Sequence, residues 1–255
     1  MSPATMLQVE NVTLRFGGLQ VLGHVTFDVQ AGQIMGLIGP NGAGKTTMFN
    51  VISGVYKPLA GTVRFRGHDI TGLPPYAIAQ RGLARTHQIV RPLNELTVRE
   101  NVMAGACYGR EQHSLAAAAR IADEVLSRVG LAERADLPAS SLNVAQKKRL
   151  ELARALAARP YLILLDEVLA GLNPSEITHM IATIRRIRDE GVTILMVEHV
   201  MQAVMSLCDT LQVLDYGEQI AAGLPAEVSA NPKVIEAYLG DPKLAQEMMG
   251  ESVGD

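Results

Sequence analysis

Gly39-Pro40-Asn41-Gly42-Ala43-Gly44-Lys45-Thr46 is the stretch from which the rest of the chain is best read. It matches G-x-x-x-x-G-K-[S/T] in full. The glycines let backbone close around phosphate oxygens with its N–H groups turned inward. A helix that follows presents its positive end to the same anion. Lys45 suits the β- and γ-phosphates, and the Thr46 hydroxyl suits Mg²⁺. The Lys-Thr ending, and the strand before it, separate this loop from a glycine-rich turn with a purely structural role.

Working outward, residues 34–38 (Ile-Met-Gly-Leu-Ile) form an apolar run of the kind found in buried parallel strands. Upstream, residues 7–12, 13–16 and 25–29 read as short strands around a Gly17–Gly18 turn, and 62–65 as an edge hairpin turning at Gly67. Residues 45–53 have helical spacing, and 74–159 read as mostly helical, with helices over 116–129 and 147–158. Strands return at 161–165 and 193–197, separated by a helix over 175–189, and a last hairpin joins 211–214 to 218–221. This order predicts an α/β fold with a mainly parallel core sheet and an inserted helical sub-domain.

Chemistry gathers at the ends of these strands. Leu162-Ile163-Leu164-Leu165 runs into Asp166-Glu167. Carboxylates at the end of a buried strand are costly unless they meet a cation or act in a reaction. Asp166 suits the metal shell, and Glu167 suits the water that attacks the γ-phosphate. His199 follows the next core strand and is placed to sense that phosphate. Gln88 sits where core gives way to insert, placed to link metal and insert. Ligands of such sheets lie at the carboxyl ends of the strands.

Composition narrows the classes. The 255 residues are 48% hydrophobic and 19% charged, enough for a substantial core. A net charge of −3 supplies no broad basic field, so nucleic acid is not an expected partner. Cys107 and Cys208 form no C-x-x-C pair and read as ordinary reduced thiols. Residues 1–10 lack the basic start and apolar run of a secretory signal, and no apolar stretch nears the roughly 20 residues that cross a bilayer. Any membrane role would pass through partners.

Together these features resemble the nucleotide-binding subunit of ATP-binding cassette (ABC) transporters over essentially the whole chain. The resemblance implies a P-loop, RecA-like core with an N-terminal antiparallel β sub-domain, spanning 7–88 and 160–240 of a single domain over 1–255. It implies a helical sub-domain over 89–159 and a tail over 241–255. In its terms Gly39, Pro40, Asn41, Gly42, Ala43, Gly44, Lys45, Thr46 and the adjoining Thr47 form Walker A, and Gln88 the Q-loop. Residues 162–167 form Walker B, 170–173 the D-loop and His199 the switch histidine. Phe16 would stack on adenine. ATP is the implied ligand, with Mg²⁺ held by Thr46, Gln88 and Asp166, and Glu167 and His199 are catalytic.

The branch resembled is that of branched-chain amino acid, amide and urea uptake, on three stretches. These are 14–19 (Leu-Arg-Phe-Gly-Gly-Leu), 170–176 (Ala-Gly-Leu-Asn-Pro-Ser-Glu) and 231–240 (Asn-Pro-Lys-Val-Ile-Glu-Ala-Tyr-Leu-Gly). Lipopolysaccharide-export ATPases share part of the pattern, and a soluble, non-transport ABC ATPase is a further class. Implied partners are a second ATPase subunit, identical or related, two transmembrane permeases and, indirectly, a solute-binding protein. The implied location is the cytoplasmic face of the inner or plasma membrane. Two departures stand out. Leu142-Asn143-Val144-Ala145-Gln146 replaces the family's L-S-G-G-Q signature, which acts in trans, and Val168 replaces a usual proline. The Ala145 methyl is expected to crowd nucleotide or resist a left-handed backbone, lowering turnover.

Overall fold

The computed structural model describes residues 4–87 and 92–238; Gln88 and the tail beyond Tyr238 lie outside them. In chain order the elements begin with strands β1 (Thr5–Phe16), β2 (Leu19–Gln30) and β3 (Ile34–Ile38), helix α1 (Lys45–Ile52), and strands β4 (Ala60–Phe65) and β5 (His68–Asp69). Next come α2 (Pro75–Gln80), β6 (Leu83–Arg85), α3 (Val98–Tyr108), α4 (Leu115–Arg128), α5 (Val144–Ala157), β7 (Leu162–Asp166) and α6 (Pro174–Asp189). The chain continues through β8 (Thr193–Val197), α7 (Met201–Leu207), β9 (Thr210–Asp215), β10 (Glu218–Gly223), α8 (Pro225–Ser229) and α9 (Pro232–Tyr238). It divides into two compact units. One holds Leu73 and everything before it together with Thr193 and everything after it; the other runs Pro74–Val192.

The first unit carries an antiparallel sheet in the order β2-β1-β4-β5. Residues 7–16 form one continuous strand where two short ones are predicted. The register against β2 shifts between Val9 and Val12, and Asn11 there has φ 49°. This bulge lets alternation change phase without ending the strand, so the sequence pattern looks broken where the backbone is not. In the same unit β3 lies between β8 and β9, parallel to both, and β10 closes antiparallel on β9. Every residue of β3 and β8 is buried, as expected for parallel strands covered on both faces. The start of β3 is pinned by side chains. The Ile34 N–H donates to Asp209 Oδ2 (2.7 Å), and the Gly32 N–H to Thr193 Oγ1 (3.0 Å).

The second unit pairs β6 with β7 in parallel and carries α2 to α6. β6, β7 and α6 belong to the same compact unit as helices α2 to α5. β6 lies inside the stretch read as helical; three residues are too few to display a two-residue alternation. Helix starts follow side-chain caps. Thr97, Asn143 and Asn173 each accept the N3 amide of α3, α5 and α6, and the N3 Glu100, Gln146 and Glu176 reach back to complete capping boxes. The Asn143 cap explains why α5 begins three residues before the predicted 147. Helix α7 carried no expectation from sequence. Among the described residues no helix is long and apolar enough to cross a membrane.

Leu37, at the centre of β3, is fully buried. Leu37→Ala is expected to destabilise the protein by about 2–5 kcal/mol, through lost burial and the cavity left behind. A fall in the thermal unfolding midpoint checks this.

Candidate nucleotide site

The loop that leaves β3 has a shape only glycine permits at its two ends. Gly39 has φ 147°, and a Cβ placed there would lie 2.0 Å from the Leu214 carbonyl oxygen of β9. Gly44, the residue before α1, has φ 101°, and its Cβ would meet Leu22 and the Val21 carbonyl at 2.9–3.0 Å. Between them the loop carries Pro40, Asn41, Gly42 and Ala43, of which Asn41 and Gly42 are exposed. Lys45 is buried and folds back over the loop, donating from Nζ to the carbonyls of Gly39 (2.6 Å) and Pro40 (2.9 Å). The Thr46 side chain is exposed and Thr47 half-buried at the first turn of α1. Loop, lysine and helix start together form a cradle for an anion.

Other first-unit residues have definite places. Phe16 ends β1, half exposed, with its ring edge-to-face against Tyr56 at 5.2 Å. Tyr56 thereby braces Phe16 while leaving ring surface open, a contact the sequence reading missed. His199 follows β8, half-buried, and Glu198 beside it is buried. A second missed residue is Tyr238 at the end of α9. It is fully buried, and burial pushes the phenol's pKa up, with the nearby Gly39 backbone opposing. Helix α9 thus backs the phosphate loop, flanking a cleft of about 780 Å³ lined by Pro40, Asn41, Gly42, Asp215, Lys233 and Glu236.

In the second unit β7 delivers two carboxylates. Asp166 is buried, and its Oδ2 accepts from Arg85 Nη2 at 2.7 Å, both side chains being nearly inaccessible. Its amide donates to Thr86 Oγ1 (3.0 Å), while Oδ1 is buried with no hydrogen-bond partner among the described residues. An unsatisfied buried carboxylate oxygen is costly unless a cation completes it. Mg²⁺ takes only one or two protein carboxylates alongside phosphate oxygens, so a lone Asp fits it. Among the described residues no three His, Cys, Asp or Glu side chains cluster as a self-sufficient metal cage. Glu167 has φ 50°, a left-handed backbone that costs a non-glycine residue about 1–3 kcal/mol. Lys148 of α5 donates from Nζ to the Glu167 carbonyl at 2.5 Å, holding that peptide in place. Neither Arg85 nor Lys148 was singled out from sequence. Gln88, the remaining expected metal ligand, lies outside the described residues.

The departures from the family pattern resolve locally. Asn143 caps α5, its Oδ1 accepting from the Gln146 N–H (2.9 Å) while Gln146 Oε1 accepts from the Asn143 N–H. Leu142 is buried, Val144 is exposed and Ala145 is buried within helical backbone. The left-handed backbone expected as one source of conflict at Ala145 does not arise: its φ is not positive, and its methyl is buried within the chain. Val168 is likewise buried. Both cysteines are free thiols, and burial pushes Cys208 up from the usual range.

A phosphate cradle on a parallel α/β core, with an acidic strand end elsewhere in the chain, defines a P-loop nucleotide-binding protein. Residues 22–170 match the family described as ABC transporter, and 218–243 match the branched-chain amino acid ATP-binding cassette transporter family. The chain is 40% identical to the high-affinity branched-chain amino acid transport ATP-binding protein BraF of Pseudomonas aeruginosa, over 92% of this chain and 98% of that one. It is 33% identical to the lipopolysaccharide export system ATP-binding protein LptB of Escherichia coli, over 92% and 97%. A crystal structure of a nucleotide-free ATP-binding cassette from an ABC transporter superposes with TM-score 0.84 at 31% identity, covering 93% of this chain and all of the other. The chain belongs to the ABC transporter family and is one of its ATPases.

Gly39→Ala places a methyl where Leu214 stands and forces a backbone that alanine resists. Fluorescent-ATP titration should show nucleotide affinity weakened by about tenfold or more, one decade being about 1.4 kcal/mol.

Proposed function

We propose that this ATPase energises the uptake of branched-chain amino acids or related small amides across the membrane. The observation that carries the solute class is the match of residues 218–243 to the branched-chain amino acid family. It lies in the part of the chain where α9 backs the phosphate loop, and it favours uptake over the export reading that the lipopolysaccharide relative suggests.

In this reading ATP is bound by the amides of the 39–46 loop, with Lys45 leaving the Gly39 and Pro40 carbonyls for the β- and γ-phosphates. Phe16, braced by Tyr56, offers its ring to adenine. Mg²⁺, when bound, would neutralise phosphate charge, and Thr46 and the free Oδ1 of Asp166 are the described side-chain oxygens to hold it, with Gln88 as a further ligand. Glu167 takes a proton from the attacking water and orients it, its backbone steadied by Lys148. His199 hydrogen-bonds the γ-phosphate. The capped start of α5, Asn143 to Gln146, closes the site of a second ATPase subunit, identical or related. ATP then favours the closed pair because its γ-phosphate meets both chains, and hydrolysis releases that preference. Residues 89–159 and Gln88 carry the motion to two permease subunits at the cytoplasmic face of the membrane, which a solute-binding protein serves from the other side.

Two measurements test this. Glu167→Gln should bind ATP as tightly as the parent, release phosphate about 10²–10⁴-fold more slowly and accumulate as an ATP-dependent dimer by light scattering. Unchanged turnover would remove Glu167 from the base role. In vesicles carrying the co-purified permeases, ATP hydrolysis should rise when a solute-binding protein loaded with leucine is added. Stimulation by lipopolysaccharide instead would transfer the chain to export.

A further inference from the structure

The Arg85–Asp166 pair has consequences beyond holding two strands together. Arg85 ends β6, and its backbone lies in register with Leu164 of β7, so its guanidinium reaches the carboxylate two residues further on. The contact is short and the two side chains are 8% and 1% exposed. Breaking such a pair leaves an uncompensated buried charge. Yet the pair is incomplete, because Arg85 takes Oδ2 and leaves Oδ1 buried without a hydrogen-bond partner among the described residues. The strand end cannot readily turn to satisfy it. The Asp166 amide is tied to Thr86 Oγ1, and the Thr86 amide to the Leu164 carbonyl at 2.9 Å. One oxygen is therefore committed to a resident cation, and the other is fixed and unused.

We propose that Arg85 is a positioning residue and resident counter-ion for Asp166: it matches the carboxylate's charge when no metal is present, and its positive charge sets how much Mg²⁺ is needed to engage Oδ1. This inference rests on the reading that Asp166 holds the metal. Arg85 and Mg²⁺ stabilise the same carboxylate, while their like charges repel each other in a site shielded from water. Arg85 stabilises the metal-free state more than the loaded one, so the metal threshold is raised by that difference. The cost of an unpaired Asp166 in the metal-free protein is avoided in exchange.

The test uses the full chain and fluorescent ATP, with Mg²⁺ titrated at fixed nucleotide and Mn²⁺ binding read directly by electron paramagnetic resonance. Arg85→Met should lower the half-saturating metal concentration by about tenfold, within the usual range for two coupled contacts. Its melting temperature without metal should fall below that of the parent, and Mg²⁺ with ADP should raise it by more than it raises the parent's. Arg85→Gln, which keeps an N–H donor but no charge, should show the same metal shift if the methionine variant folds poorly. Arg85→Lys should restore the parental threshold. An unchanged or raised metal requirement in both neutral variants would overturn the counter-ion role. An Asp166→Asn variant with parental metal dependence would show instead that the metal reading itself is wrong, an outcome the Arg85 variants cannot produce.

Discussion

The first unit is organised around the absence of a side chain at Gly39. A Cβ there would sit 2.0 Å from the Leu214 carbonyl, so β3 can leave its sheet beside β9 only as bare backbone. That close approach lets the loop curl back over itself, with the Lys45 ammonium seated on the Gly39 and Pro40 carbonyls. It also brings the loop near α9, whose Lys233 and Glu236 line one cleft with Pro40 to Ala43 and whose Tyr238 is buried. The turn after β9 joins the same structure, since the Gly217 amide donates to the Ala43 carbonyl at 3.0 Å. A loop held from three directions keeps its backbone in one shape before nucleotide arrives. Preorganised donors are worth more than flexible ones because no reorganisation accompanies binding.

The second unit solves a different problem. Its parallel strand β7 is entirely buried up to and including Asp166, so the carboxylate that suits a metal begins in a poorly solvated place. Arg85 balances the charge, and Thr86 fixes the backbone. Glu167, one residue on, is half-buried and held in a left-handed conformation, with Lys148 on its carbonyl. Adjacent carboxylates in one stretch of chain thus acquire opposite environments. One is sequestered and paired; the other is more accessible and strained. Such a division suits one to hold charge and the other to handle a proton.

How much of this was legible follows from which features are local. The phosphate loop is legible because close backbone approach, positive φ and a following helix each demand a specific residue at a fixed offset, and all fall within eight positions. Asp166 and Glu167 are legible because carboxylates rarely end an apolar strand without cause. Arg85 was not legible as their partner. Its strand is three residues long, it lies 81 positions away, and nothing in its neighbours marks it as buried. Lys148 was hidden for a similar reason: in sequence it is one of two adjacent lysines on a helix, and only the packing distinguishes it from Lys147. Tyr238 belonged to a stretch recognised by resemblance, but its burial behind the phosphate loop is a tertiary fact. The β1 bulge shows the converse error, a local break in alternation read as the end of a strand.

The signature segment brings these threads together. Read as a string, Asn143-Val144-Ala145 departs from the family at several positions and suggests an impaired cap. In the folded chain, Asn143 and Gln146 satisfy each other's backbone amides, which frees α5 to start cleanly at Val144. Ala145 then points inward, and its methyl contributes to packing that a glycine could not provide. Two residues beyond the box, Lys148 reaches the Glu167 carbonyl. The helix that begins with the signature is therefore attached, within its first two turns, to the residue read as the catalytic base. Any force that shifts the start of α5 acts on the Glu167 peptide through this charged hydrogen bond, a strong contact by the standard of neutral ones. The substitutions that set this chain apart from the common motif leave that connection intact, because they alter the cap and the packing rather than the lysine that carries it.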